Sequence, residues 1–279
     1  MSGKLNGRVA MVTGAARGQG RAHALALAAE GARVVALDIA DEIDGLPFKT
    51  ATLEDLEETV RLIEERGGVC QASRVDVRSR EAVQEAVENV CADVGAVDIL
   101  VNAAGIVHWK EFLELDEHDW QDVLNVNLMG TVNAIHAVLP GMVDQNYGRI
   151  VCTGSTLGRA GGRNLASYSA SKWALHGLVK CLAIEYAHRG ITVNIVNPTI
   201  VHTPMMENEN AYKLFCPDID NPTLEDALPR YQTLNQIPVP WLEPEVISRS
   251  VLFLVGEDSE FVTGAALDVA AGANALYTA

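Results

Sequence analysis

Three side chains in this 279-residue sequence could together move a proton and hold an oxygen: Ser155, Tyr168 and Lys172. Tyr168 and Lys172 stand four residues apart in a stretch, 167–188, patterned as a helix, so they share one face. A phenol ionises at about 10 and is a poor base near neutrality. A neighbouring ammonium favours the phenolate and lowers that value. Ser155 stands just beyond an apolar run, at a strand's carboxyl end, where its loop could meet the tyrosine helix. Its hydroxyl could then hold a substrate oxygen. Taken singly, each residue has a plainer role: Ser155 in a turn, Tyr168 in packing, Lys172 on a solvated helix face. Taken together they supply what oxidation of an alcohol requires, with the proton going to Tyr168 and the hydride to a separate carrier.

A place for that carrier comes early in the chain. Thr13-Gly14-Ala15-Ala16-Arg17-Gly18-Gln19-Gly20 follows the first strand-like run and opens the first helical segment. Glycines allow a tight turn and a close approach to a pyrophosphate, which the helix N-terminus then binds. The spacing is G-x-x-x-G-x-G rather than G-x-G-x-x-G, and a glycine cluster alone could be a plain turn. Asp38 ends the second run, 18 residues past Gly20. A carboxylate there can accept hydrogen bonds from an adenosine ribose and repels a 2′-phosphate, which favours NAD over NADP. Arg17 pulls the other way, since a cation near the turn could greet a phosphate. Asp76 with Val77 reads as an adenine contact or, nearly as well, as the lead-in to the next helix.

The elements that must position these residues alternate along the chain. Apolar, β-branched runs fall at 8–13, 33–38, 69–75, 97–101, 149–153, 192–196 and 265–269. Helical patterns fall between them at 20–30, 53–66, 80–94, 117–144, 167–188 and 244–255. This alternation predicts an α/β fold: a doubly wound parallel sheet of about seven strands, Rossmann-type, with helices on both faces and one domain over 1–279. Ligands in such sheets bind beyond the carboxyl ends of the strands. Two stretches look added, 39–52 and 205–241; the second is long enough to be a lid. The net charge of −16 disfavours phosphate backbones and anionic lipid, so neither nucleic acid nor membrane is expected as a partner. Five cysteines without a C-x-x-C pair suggest neither a disulfide framework nor a metal site. Most sit in apolar stretches and are expected to be reduced and buried. With no leader pattern and no apolar run of spanning length, a soluble cytoplasmic protein is expected.

The order of these motifs resembles the short-chain dehydrogenase/reductase family along essentially the whole chain. The residues are Thr13-Gly14-x-x-x-Gly18-x-Gly20, Asn102-Ala103-Ala104-Gly105, Asn127 within Asn125-Val126-Asn127-Leu128, Ser155, Tyr168-x-x-x-Lys172, Asn197-Pro198-Thr199 and Thr203-Pro204-Met205. The resemblance implies that Tyr168 is the acid/base, that Lys172 binds the nicotinamide ribose and tunes the tyrosine, and that Ser155 orients the substrate. It implies that Asn127 holds a water of a proton relay and that Thr203 contacts the nicotinamide carboxamide. Asn102, Ala103, Gly105, Pro198, Thr199 and Val201 join the glycine turn, Gln19 included, as cofactor contacts. Two departures stand out: Ala103 where a second Asn is usual, and Thr199 where a Gly is usual. These, the two insertions and the segments 208–218 and 238–244 are similar to a subgroup, the mycofactocin-associated, carveol dehydrogenase-like members. That likeness implies a tightly held NAD whose electrons pass to mycofactocin, a peptide-derived carrier.

Met205, Met206, Leu214, Phe215 and Trp241 would give the lid an apolar lining, with Ile106, Val107 and Trp109 adding to it, although some could simply pack the lid. An apolar cyclic alcohol such as a monoterpenol is the expected substrate. His202 lies beside Thr203, and packing or solvation suits it better than catalysis. Helices 117–144 and 167–188 are apolar on more than one face, and family members pair through them, so a homotetramer is expected. Two other readings stand beside this one. One is an enzyme with freely exchanging NAD that acts on a steroid or sugar. The other is an NAD(H)-binding redox sensor without turnover, which would have no use for an intact Ser155, Tyr168 and Lys172.

Overall fold

β-Branched runs without polar alternation form strands buried on both faces. The computed structural model, which describes residues 3–276, has seven of them. They are β1 (Val9–Thr13), β2 (Arg33–Asp38), β3 (Val69–Arg74), β4 (Ile99–Asn102), β5 (Gly148–Thr153), β6 (Ile191–Pro198) and β7 (Ala266–Val269). All pair in parallel, in the order β3-β2-β1-β4-β5-β6-β7. The winding reverses at the neighbours β1 and β4, which leaves a crevice above their carboxyl ends.

The helices are α1 (Gly18–Ala29), α2 (Leu53–Glu64), α3 (Arg80–Val94), α4 (Glu117–Leu124), α5 (Gly130–Gln145), α6 (Ala166–Tyr186), α7 (Glu209–Phe215), α8 (Leu224–Gln232) and α9 (Pro244–Val255). Alternate strand residues divide between the two faces of the sheet. Ala10, Val12, Val34 and Val101 pack with Leu27 of α1, Leu56 of α2 and Val251 of α9. Met11, Val35, Leu100 and Ile150 pack with Val87 of α3, Val138 of α5 and Val179 of α6. Each layer therefore presses on the sheet whose upper edge carries the site.

Three expectations need correction. The helix predicted over 117–144 is interrupted: a π turn at Asn125–Met129 separates α4 from α5. One extra residue in the turn rotates α5 relative to α4, and Asn127 sits inside that turn. This rod, Glu117–Gln145, is also long and apolar enough by composition to span a membrane. Over half of its apolar window is buried inside the fold, as in a core helix. Finally, Cys70, Cys152 and Cys216 are buried, but Cys91 and Cys181 are exposed, because Cys181 falls on the outward face of α6.

The two insertions have different characters. Residues 39–52 form an irregular strap, helped by a left-handed Ala40 (φ 45°). Residues 205–241 contain α7 and α8 and a small core of their own. There Tyr231, fully buried, packs with Cys216, Ala227 and Phe215, and its hydroxyl donates to the Met206 carbonyl at 2.9 Å. The lid is tied at its base by parallel bridging of Val201 with Leu242.

Helix α1 carries the glycine turn, and beside their apolar packing a buried pair joins it to α9: His23 Nδ1 and Ser248 Oγ, 2.8 Å apart. Burial pushes the His23 imidazole down to about 4, whereas an unfolded histidine titrates near 6.5. The unfolded chain therefore binds the extra proton first. Stability from this site is complete above pH about 6.5 and is lost as pH falls toward about 4. The full loss is roughly 3 kcal/mol. Denaturant unfolding at a series of pH values should show a shallower acid decline in His23→Gln than in the wild type. Parallel declines would refute this.

Candidate active site

Above the switch point the chain approaches itself too closely for side chains. Gly14 has φ +68°, and a Cβ there would lie 2.7 Å from the Ala104 amide nitrogen. A Cβ on Gly20 would lie 1.9 Å from the Gly14 carbonyl oxygen. The resulting cleft spans about 920 Å³, part of it open to solvent, and is lined by Gly14, Arg17, Gly18, Gln19, Gly20, Asp38, Asp76, Val77, Ala103, Gly105 and Thr203. At its base the N-terminus of α1 offers free N–H groups. The Gln19 Oε1, buried and without a partner, faces the same region. A glycine cradle over a helix N-terminus with an unmet buried acceptor fits a dinucleotide.

Asp38 stands at the far end of this cleft. Its two carboxylate oxygens accept from the Ala16 and Ala40 amides at 3.0 Å each, which fixes the side chain. Arg17 turns toward the strap and donates to the Lys49 carbonyl. Burial pushes its guanidinium pKa down. The Asp76 carboxylate accepts from the Arg78 amide and guanidinium at 2.9 Å, while Ser79 caps α3. Asp76 thus braces the turn and also forms cleft wall. Asn102 differs from expectation. It is buried at the end of β4, 3.9 Å from the Cys152 sulfur, and lines neither cleft. Sequence reasoning passed over Ile43 and Phe48 of the strap, which wall the cleft. Their apolar character within a polar insertion was the available signal.

A second cavity joins the first, sharing Gln19, Ala103, Gly105, Thr203 and Met205 in its walls. It encloses about 2060 Å³, part of it open to solvent. Ser155, Tyr168 and Lys172 open into it, as do Pro198, Thr199 and Val201. The apolar walls are Val107, Trp109, Met205, Met206, Leu214 and Phe215. Two predicted lining residues are elsewhere. Ile106 walls the nucleotide cleft. Trp241 stacks on His202 at 4.1 Å, the rings nearly parallel. The His202 ring nitrogens lie 2.9 Å from Glu207 and 3.1 Å from Glu243. Burial alone would lower its pKa, but these carboxylates raise it overall. His202 is thus a lid contact. Thr199, the unusual residue, donates its hydroxyl to Asn235 of the lid at 2.9 Å.

The three reacting groups are held from two elements. Lys172 of α6 is buried, and its Nζ donates to the Thr153 carbonyl at 2.7 Å, with the Tyr168 ring centroid 5.5 Å away. Burial lowers the lysine pKa to about 8. Burial also raises the tyrosine pKa, opposed by a hydrogen bond with Ser155. The expected lowering of the phenol pKa does not prevail in the chain alone: loss of water dominates, and the Ser155 hydroxyl is what opposes it. Ser155 Oγ also accepts from the Leu157 amide at 3.1 Å. Asn127 spends its amide on structure. It accepts from the Ile106 N–H at 2.8 Å and donates to the Ile106 carbonyl at 3.0 Å and to Ser171 Oγ at 3.1 Å. Ser171 in turn donates to the Tyr168 carbonyl at 2.7 Å. Among the described residues no cluster of His, Cys, Asp and Glu is placed to hold a metal ion.

Comparison with known proteins agrees with this geometry. The chain is 37% identical over 272 residues to a (-)-trans-carveol dehydrogenase of Rhodococcus erythropolis, covering 96% of this chain and 98% of that one. The structure of carveol dehydrogenase from Mycobacterium avium in complex with NAD matches with a TM-score of 0.96 at 38% identity, covering 99% and 100% of the two chains. A short chain dehydrogenase from Mycobacterium paratuberculosis bound to NAD matches with a TM-score of 0.88 at 34% identity, covering 98% and 100%. The short chain dehydrogenase family model matches residues 8–213, most of the chain, and this protein belongs to that family.

Proposed function

We propose that this protein oxidises an apolar secondary alcohol of the monoterpenol class, carveol-like, to its ketone with NAD that it retains between turnovers. One observation carries the reading: Ser155, Tyr168 and Lys172 open together into an apolar cavity continuous with a dinucleotide-shaped cleft. The similarity to carveol dehydrogenases and to NAD complexes supports it. Asp38 favours NAD, because its anchored carboxylate would face a 2′-phosphate. Arg17, drawn off to Lys49, does not offset it.

When bound, NAD supplies the hydride acceptor. Ser155 holds the alcohol oxygen, and Tyr168 takes the hydroxyl proton as the ketone forms. Lys172 sets its Nζ 5.5 Å from the phenol ring centroid, and the Ser155 hydroxyl favours the ionised form against the effect of burial. Asn127 holds the Ile106 loop against Ser171 of the tyrosine helix, and a relay water would rest beside this junction. Retention comes from cover. The strap and the lid touch, with Asn210 Nδ2 donating to the Pro47 carbonyl at 2.6 Å, and Phe48 of the strap also packs 5.9 Å from Trp109 of the loop after β4. A held nucleotide needs a second electron carrier, and the subgroup resemblance points to mycofactocin. The reading includes a cytoplasmic homotetramer. Exposed Met129, Trp173 and Ile184, the last 81% accessible, lie on the rods that would pair.

Four outcomes are expected. Protein purified without added cofactor and then denatured should release near-stoichiometric NAD(H), and carveol should turn over only with an artificial electron acceptor. Empty protein that cycles on free NAD would instead mean an ordinary exchangeable enzyme. Tyr168→Phe should lose about 10²- to 10⁴-fold in turnover while keeping its nucleotide. Turnover at the wild-type rate would overturn its role. Asn210→Ala should speed exchange of bound NAD with labelled NAD roughly fivefold, the worth of one hydrogen bond of about 1 kcal/mol; an unchanged rate would remove the strap–lid contact from the account of retention. Light scattering should give a tetramer mass, and a monomer would contradict that part of the reading.

A further inference from the structure

Behind the Ser155 loop runs a chain of polar side chains that the proposed chemistry does not use. His176 lies on α6, eight residues after Tyr168 and four after Lys172, on the same side of the helix. Its Nε2 is 3.1 Å from Asn197 Oδ1. Asn197, fully buried near the end of β6, donates its Nδ2 to Asp268 Oδ1 at 2.9 Å. Asp268 on β7 is the register partner of Asn197, and its other oxygen accepts from Arg159 Nη1 at 2.9 Å. Arg159 closes the short helical turn 156–158 that Ser155 caps. The chain thus leaves α6, crosses two strands and returns to the serine loop.

The orientation of each group is determined. An ionised Asp268 only accepts, so the Asn197 amide must turn its NH₂ toward it and its oxygen toward His176. His176 must then donate from Nε2. Burial lowers its pKa, so it is the neutral Nε2–H form. The loop rests directly on this chain. A Cβ on Gly154 would lie 2.2 Å from Asn197 Oδ1, and one on Gly158 would lie 2.8 Å from His176 Nε2. The glycines on either side of Ser155–Leu157 are therefore seated on Asn197 and His176.

We infer that His176, Asn197, Asp268 and Arg159 are positioning residues that lock the Ser155 loop to the helix bearing Tyr168, and so hold the Ser155 hydroxyl in the cavity wall it shares with the phenol. The inference rests on the proposed roles of Ser155 and Tyr168. Both open into the same cavity, where the serine hydroxyl favours phenolate in a buried setting that otherwise opposes it. A loop freed from its seat would let the serine drift and leave the phenol harder to ionise.

The test reads that ionisation directly and needs no substrate. Fluorotyrosine is incorporated throughout, and the Tyr168 resonance, assigned by its loss in Tyr168→Phe, is followed by fluorine NMR over an alkaline pH series. His176→Leu should move its midpoint upward, and His176→Gln, which keeps an N–H donor, should restore it. Arg159→Gln, at a partly exposed end of the chain, should move it in the same direction by less and serves if His176→Leu does not fold. On carveol with an artificial acceptor, kcat should fall about 10- to 100-fold in His176→Leu, with little change in KM or nucleotide content. A midpoint unmoved in folded His176→Leu, or in folded Arg159→Gln where His176→Leu does not fold, would overturn the inference, whatever happens to the melting temperature. Failure of the functional reading would instead appear as undiminished turnover in Tyr168→Phe.

Discussion

The site depends on one bond, from the buried Lys172 ammonium to the Thr153 carbonyl at the end of β5. Burying a cation is costly unless hydrogen bonds replace its water. Here a strand-end carbonyl does so, and no carboxylate lies within ion-pair distance among the described residues. The same bond ties α6 to the sheet two residues before Ser155. Tyr168 lies one helical turn earlier. This contact and the inferred seat beneath the Ser155 loop together fix the relation between helix and loop on which the spacing of the three groups depends.

Electrostatics at this anchor run against the simplest account of an activated tyrosine. Burial acts on both partners and favours the neutral form of each, lowering Lys172 and raising Tyr168. The chain's own groups therefore do not poise the two as an ion pair. What favours phenolate within the chain alone is the Ser155 hydroxyl. That makes the placement of one hydroxyl, and the seat beneath its loop, matter more than the lysine charge until a ligand fills the cleft and changes the solvation of all three. It also accounts for the glycines at 154 and 158, where bulk would push the loop off Asn197 and His176.

Much of this was legible in residue types. Runs such as Ile99-Leu100-Val101 can only be strands covered on both faces, and their order with the helices fixes the parallel sheet. Gly14, Gly18 and Gly20 mark a close approach because no other residue tolerates it. What stayed hidden depends on contacts between distant segments. The π turn around Asn127 is a matter of hydrogen-bond register, which side-chain periodicity does not encode. Asn102 follows a strand in a motif that suggests a cofactor contact, yet its amide turns into the sheet toward Cys152. Trp241 looked like a pocket wall because it is apolar, and only its stack on His202 shows that it packs the lid's exit. Desolvation of Tyr168 and Lys172 required knowing their burial.

Thr199 shows how the lid and the departures from the family pattern belong together. A glycine there would leave the turn after β6 free. The threonine hydroxyl instead reaches Asn235, whose amide donates to the Val239 carbonyl at 2.7 Å. His202, next after Val201, engages Glu207 at the lid's start and Glu243 just past its end. The lid is therefore fastened at both feet from the same short segment that walls the cavity. Each fastening is worth only about 1 kcal/mol. They act in parallel with the lid's own core around Tyr231, however, so opening must break several at once and belongs to a rarer class of local motion than loop fraying. In the proposed reading that rarity is the physical basis of slow nucleotide release: the chain has exchanged backbone freedom at one turn for a cover that stays shut.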